Sequence, residues 1–242
     1  MVFFKKFIGG NTLFYPGCLT KFVGKDIDAK YRKILNKIGT EFIVLTELEQ
    51  CCGSPIINAG HLQEAKELAD NNFKIFKEHS VRKIITACPA CYKMFTKDYP
   101  EMIPEWDIET EHMTITINRA IKAGKYKPKA RDIKATYHDP CHLGRHCHIY
   151  NEPREIIQAT GAELKEMKLT KEYAFCCGAG SGVKSNYPEL ANASSKERTE
   201  MAKETDAKCL LTSCPMCYYN LKENAEGIKV KELSQFLEDE DD

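Results

Sequence analysis

The tripeptide Cys51-Cys52-Gly53 returns 125 residues later as Cys176-Cys177-Gly178, and this repetition constrains the chain more than any other feature of it. Adjacent cysteines followed by glycine are uncommon, so two copies mean a duplicated chemical site. The lone Cys18 recurs 123 residues on as Cys141, and Cys88-Pro89-Ala90-Cys91 recurs 126 residues on as Cys214-Pro215-Met216-Cys217. A drift of three residues over half the chain is what changes in loop length produce. The sequence therefore reads as an internal duplication, with residues 1–127 as one half and 128–242 as the other.

Strand and helix patterns alternate in each half. Thr12–Tyr15, Phe42–Leu45 and Ile84–Ala87 are short and apolar and predict strands. Ile27, Tyr31, Ile34, Leu35 and Ile38 share one face of a helix closed by Gly39, and Leu62 to Phe76 carries a second apolar stripe. Residues Met113 to Ile121 give a strand-to-helix piece, and Lys125 to Ala130, with Pro128, reads as a connector. The second half repeats the scheme with strands at 133–137, 164–169, 209–212 and 228–230. Its helices lie near 153–159, 188–204 and 233–236. This alternation predicts an α/β fold of two duplicated Rossmann-like halves with parallel strands. In such sheets binding loops gather at the carboxyl ends of the strands, where all six cysteine-bearing loops fall.

Each half carries five cysteines in one spacing pattern: Cys18, Cys51, Cys52, Cys88 and Cys91, then Cys141, Cys176, Cys177, Cys214 and Cys217. Thiolates select soft metals. Five exceed the four that a zinc ion or an ordinary cubane cluster takes, so a multinuclear cluster accommodates the count better. The competing reading is a four-cysteine zinc site from the two Cys-x-x-Cys pairs, which leaves Cys18, Cys51, Cys52 and their partners unexplained. No secretory leader is evident, and no run approaches the ~20 apolar residues of a membrane span. A cytoplasmic location with reduced thiols is the expectation, which argues against a disulfide framework. Lys+Arg and Asp+Glu balance at 35 each, so no bulk charge points to nucleic acid.

Phe14-Tyr15-Pro16-Gly17-Cys18, Tyr137-His138-Asp139-Pro140-Cys141-His142-Leu143-Gly144-Arg145 and Cys176-Cys177-Gly178-Ala179-Gly180 resemble the signatures of the cysteine-rich CCG-domain family. That family includes the B and D components of heterodisulfide reductases and the iron–sulfur subunits of lactate, glycolate and glycerol-3-phosphate dehydrogenases. The resemblance runs from Phe14 to about Phe236. It implies that each five-cysteine set holds a noncubane [4Fe-4S] cluster, and that two clusters between the halves cleave a mixed disulfide. It equally implies an alternative, an electron-relay subunit of a flavin-dependent 2-hydroxy-acid or glycerol-3-phosphate dehydrogenase. No ferredoxin-type run of cysteines occurs, so ferredoxin-like or flavoprotein partner subunits are expected, in a complex that is cytoplasmic or attached to a membrane through a partner.

Beyond the ligand candidates, His142 and Arg145 adjoin Cys141 and are candidate catalytic groups: an imidazole for proton delivery and a guanidinium for an anionic substrate. His138 reads as packing under a strand end, and His146 and His148 as solvated. Tyr92, Phe175 and Tyr218 adjoin ligand candidates and are expected to shield them from water. Cys209 opens an apolar strand and reads as core, whereas Cys147 reads as a spare thiol.

Overall fold

The computed structural model describes residues 9–239. The first half contains β1 (Asn11–Tyr15), α1 (Cys18–Phe22), α2 (Lys25–Ile38), α3 (Ser54–Asn58), α4 (Leu62–Glu78) and β2 (Val81–Thr86). It continues through α5 (Pro89–Lys93), a π-helical turn at Met94–Asp98, α6 (Tyr99–Met102), β3 (Glu109–His112) and α7 (Met113–Lys122). The second half contains β4 (Lys134–His138), α8 (Asn151–Ala159), β5 (Glu163–Leu164), α9 (Val183–Asn186) and α10 (Pro188–Lys203). It ends with β6 (Cys209–Thr212), α11 (Pro215–Asn224), β7 (Lys229–Glu232) and α12 (Leu233–Glu238).

Two parallel sheets result, β1-β2-β3 and β5-β4-β6-β7. Ile43 adds a single parallel bridge to Leu13 on the free side of β1, so both halves follow the same strand order. Side chains alternate across each strand. Leu13, Tyr15 and Ile84 enter a core within the first half, beside Phe76, Phe95 and Tyr99. Phe14 and Ile85 point the other way, into a core that also contains Tyr137, Leu210, Leu233 and Phe236 of the second half.

That shared core is closed by helices. α2 buries Ile27, Tyr31, Ile34 and Leu35, ends on Gly39 in the left-handed conformation, and lies against α12. Full burial of side chains of this size is worth about 1.5–3 kcal/mol each. Glu232 caps α12 through Ser234 N at 2.7 Å, while its own N–H donates to Gln235 Oε1 at 3.1 Å. Glu232 also accepts from the Tyr31 hydroxyl of α2, a buried hydrogen bond that ties the halves together. At the equivalent place in the first half, His112 caps α7.

Three predicted strands differ from the structure. Phe42–Leu45 makes only the Ile43 bridge, because a turn at Leu45–Glu49 lifts the chain away towards Cys51 after two hydrogen bonds to β1. In the second half only Glu163–Leu164 pairs, not the whole of 164–169. The piece predicted at Met113 to Ile121 is all helix. Its strand lies earlier, in the polar Glu109–His112, where buried Glu111 is matched by Lys83, Thr116 and Arg119. Among the described residues no helix is long and apolar enough to cross a membrane.

Candidate metal centre

Loops leaving the strands of both halves meet at one cavity of about 330 Å³, and all ten cysteines of the two spacing patterns line it. β1 delivers Cys18 to the start of α1. The bridge at Ile43 leads on to Cys51-Cys52, and β2 delivers Cys88 and Cys91 to the first turn of α5. β4, β5 and β6 do the same for Cys141, Cys176-Cys177 and Cys214 with Cys217. Pro89 and Pro215 each occupy a first helical position, where a missing N–H costs nothing. The π-turn lies just beyond Cys91, in the helical stretch that carries it.

The sulfurs form the same contact chain in each half. Cys18 reaches Cys51, Cys51 reaches Cys52, Cys52 reaches Cys91, and Cys91 reaches Cys88. Likewise Cys141 reaches Cys176, Cys176 reaches Cys177, Cys177 lies 3.2 Å from Cys217, and Cys217 reaches Cys214. That separation is far longer than an S–S bond, and the cysteines are free thiols.

Gly53 and Gly178 take φ of +90° and +84°, which turns their N–H groups towards Cys51 Sγ at 3.5 Å and Cys176 Sγ at 3.4 Å. Hydrogen bonds from Cys18 and Cys52, with Gly53 N–H, hold the Cys51 thiol far below its usual range. Cys141, Cys177 and Gly178 do the same for Cys176. Through the same contacts, and by burial, Cys18 and Cys141 are pushed far up. Each nest thus aims thiol and backbone N–H donors at the first sulfur of its vicinal pair.

Side chains from the helices fix the vicinal loops. Asn72 Nδ2 donates to Cys51 O at 2.9 Å, and Asn220 Nδ2 to Cys177 O at 2.7 Å and Ala191 O at 3.1 Å. Ser194 Oγ donates to Cys176 O at 2.9 Å. Sequence reasoning missed these residues, although Asn72 carries a signal: it interrupts the buried stripe of Ala65, Ala69 and Phe76 on α4.

His142 lines the cavity with Nδ1 3.4 Å from Cys141 Sγ, and burial pushes its pKa down to about 4. At neutral pH its imidazole is therefore neutral, able to orient a hydrogen bond but not to store a proton. Arg145 is exposed, donates to Ala174 O at 2.7 Å, and does not line the cavity. Its place as the cavity's cation falls to Lys184, held by Asn192 and Glu223. His146 and His148 are exposed. Tyr92, Phe175 and Tyr218 stand outside the wall, and the apolar lining comes instead from Leu19, Pro55 and Met216. Cys209 is buried in β6 and pushed up to about 12 by burial. Cys147 is half-buried and pushed up to about 11.

His138 is fully buried, and one of its ring nitrogens lies within 4.8 Å of the sulfurs of Cys177 and Cys217, a candidate metal-binding group. No Asp or Glu lines the cavity among the described residues, so the strong metal-binding groups there are the cysteine sulfurs rather than carboxylates. This set suits iron–sulfur or another thiophilic metal. Five sulfurs per nest with backbone N–H groups aimed at them fit a multinuclear cluster.

The sequence profile described as the CCG cysteine-rich domain matches residues 12–96 and again 135–222, the two halves that carry the nests. The chain belongs to the CCG cysteine-rich domain family. It is 36% identical over 225 residues to the D component of the dihydromethanophenazine:CoB–CoM heterodisulfide reductase of Methanosarcina acetivorans, covering 90% of this chain and 55% of that one. The EtfAB:quinone oxidoreductase of Syntrophomonas wolfei is 32% identical over 238 residues, covering 92% of this chain and 32% of its own length. The B component of the CoM/CoB fumarate reductase of Methanothermobacter marburgensis is 31% identical over 236 residues, covering 95% and 46%. The chain thus spans about half, or less, of the length of these relatives.

Proposed function

We propose that the chain is an iron–sulfur redox subunit that carries two noncubane [4Fe-4S] clusters and cleaves a small-molecule disulfide in the cavity between its halves. Cys18, Cys51, Cys52, Cys88 and Cys91 would hold one cluster. Cys141, Cys176, Cys177, Cys214 and Cys217 would hold the other. The observation that carries this reading is the convergence of both sulfur chains on a single cavity. Two separate electron-transfer sites would not need a shared opening. Two sites acting on one disulfide would.

Disulfide cleavage consumes two electrons and two protons and releases two thiols. Two clusters, when bound, supply those two electrons. The chain's own groups bind and orient: Lys184 offers a cation to an anionic substrate, His142 a hydrogen bond at the wall beside Cys141, and Leu19 and Met216 apolar surface that excludes water. Electrons come from ferredoxin-like iron–sulfur or flavoprotein partner subunits of a cytoplasmic or membrane-attached complex.

The experiment is anaerobic reconstitution with iron and sulfide, followed by assay with the CoM–CoB heterodisulfide and a reduced viologen dye. Dye oxidation matched by release of two thiols is the expected result. Clusters present without thiol release favour the second reading, an electron-relay subunit of a flavin-dependent 2-hydroxy-acid or glycerol-3-phosphate dehydrogenase. Bound zinc without labile sulfide removes both.

A further inference from the structure

The two nests are alike in their sulfurs and unlike in what lies beneath them. Gly53 faces Ala65 and Leu68 of α4, and Gly178 faces Ala191 and Ser194 of α10, so positions 126 residues apart correspond. By the same offset Asn72 corresponds to Arg198. At the strand ends, 123 residues apart, Tyr15 corresponds to His138. All four side chains are almost wholly buried.

In the first half these positions are neutral. Tyr15 donates to Gln50 O at 2.5 Å, and Asn72 donates to Cys51 O and to Tyr99 Oη at 3.0 Å. In the second half, Arg198 Nε donates to His138 Nδ1 at 3.2 Å and Nη1 to Leu169 O at 2.8 Å. Arginine has donors only, so His138 Nδ1 must accept and the ring proton must sit on Nε2. Nε2 is the ring nitrogen without a partner among the described residues, and the sulfurs of Cys177 and Cys217 are the ligand atoms near that ring. Arg198 therefore fixes the tautomer of His138, one ring nitrogen of which lies within 4.8 Å of the sulfurs of Cys177 and Cys217.

Asp139 and Glu166 both act on Arg198, but Arg154 shares them, so the Arg198 charge is offset only in part. Asp139 and Arg154 form a buried two-pronged pair at 2.7 and 2.9 Å, and Glu166, the further partner of Arg154, is 38% exposed. Lys184 at the cavity wall is paired with Glu223 at 2.9 Å. Beside Tyr15 in the first half lies Glu49, 3.8 Å from Lys21, a potential anion rather than a cation. A cluster held by five thiolates gains negative charge on reduction. A buried cation beside the ligand sulfurs stabilises the reduced form more than the oxidised one.

We propose that Arg198, acting through His138, makes the second nest the stronger electron acceptor of the two, so that an electron entering at the first runs downhill to the second. Arg198 is in this sense a positioning residue, and the proposal rests on the cluster-bearing function stated above. One buried unit charge at side-chain distance supports a preference of about tenfold or more, about 59 mV for a one-electron couple.

The test compares two reconstituted variants of the chain, each with one nest disabled, by redox titration followed by electron paramagnetic resonance. The Cys51→Ser/Cys52→Ser protein, which retains the second nest, is expected to titrate at the higher potential. The Cys176→Ser/Cys177→Ser protein is expected to titrate lower. Adding Arg198→Gln should lower the potential of the second nest and leave that of the first unchanged, while Arg198→Lys, which keeps the charge, should fall between. Equal or reversed potentials, or an Arg198→Gln shift common to both nests, would overturn the proposal. If Arg198→Gln does not load, the order of the two single-nest proteins decides. Absence of any cluster signal in wild-type protein is a different failure, that of the cluster assignment itself.

Discussion

Gly53 and Gly178 have the same role in turning the vicinal cysteines, yet alanine at the two positions should have unequal effects. Both take positive φ, +90° and +84°, where an L side chain costs about 1–2 kcal/mol. At Gly53 that is nearly the whole cost, because a Cβ would meet nothing nearer than Met94 Cε at 3.5 Å. At Gly178 a Cβ would stand 2.7 Å from Ser194 Cβ and 2.8 Å from Ala191 O. The backbone of α10 would have to shift, and Ala191 O is also an acceptor for Asn220. Overpacking of this kind adds about 1–3 kcal/mol. For a chain of this size each kcal/mol is about 2–4 °C in Tm. Thermal unfolding of the reduced, metal-free protein should therefore show Gly178→Ala melting several degrees below Gly53→Ala, and Gly178→Ala should retain less iron after reconstitution. Equal melting points, or the reverse order, would refute the packing described around α10.

Three further outcomes follow from individual contacts. Asn220→Leu removes the side-chain donor for Cys177 O in a buried site, which costs about 1–3 kcal/mol. Iron analysis should show loss from the second nest with the first intact, although no cysteine is changed. His142→Gln should leave iron content unchanged and slow disulfide cleavage, read as dye oxidation. Burial raises the Glu232 carboxyl to about 7, so the stability it contributes is fully present below about pH 4.5 and lost as pH rises through 7. Glu232→Gln should flatten urea-melt stability of the metal-free protein across that window, by at most about 3 kcal/mol.

The cysteine spacing made the duplication, the parallel α/β halves and the two five-sulfur groups legible, because the ligand offsets follow the strand–loop–helix unit that carries them. Phe42–Leu45 misled because β-branched composition reports a strand's surroundings, not whether the neighbouring chain stays beside it for more than one bridge. Glu109–His112 escaped notice because its buried Glu111 is neutralised by Lys83 of the neighbouring strand and Arg119 of the following helix. Arg145 looked functional from its proximity to Cys141, yet the turn after Cys141 carries it out to Ala174. Arg198 sits in a polar-looking helix, and only the register between α4 and α10 shows that it lies beneath the second nest. Chemistry of the ligands was local in the sequence. The asymmetry between the halves was not.

The central claim is that the ten cysteines make two separate multinuclear sites facing one cavity. An iron anomalous difference map from anaerobically grown crystals tests it most directly. Two groups of iron are expected, one bonded by Cys18, Cys51, Cys52, Cys88 and Cys91 and the other by Cys141, Cys176, Cys177, Cys214 and Cys217, with the cavity between them. A single tetrahedral metal on Cys88, Cys91, Cys214 and Cys217, with the remaining cysteines free, would contradict it.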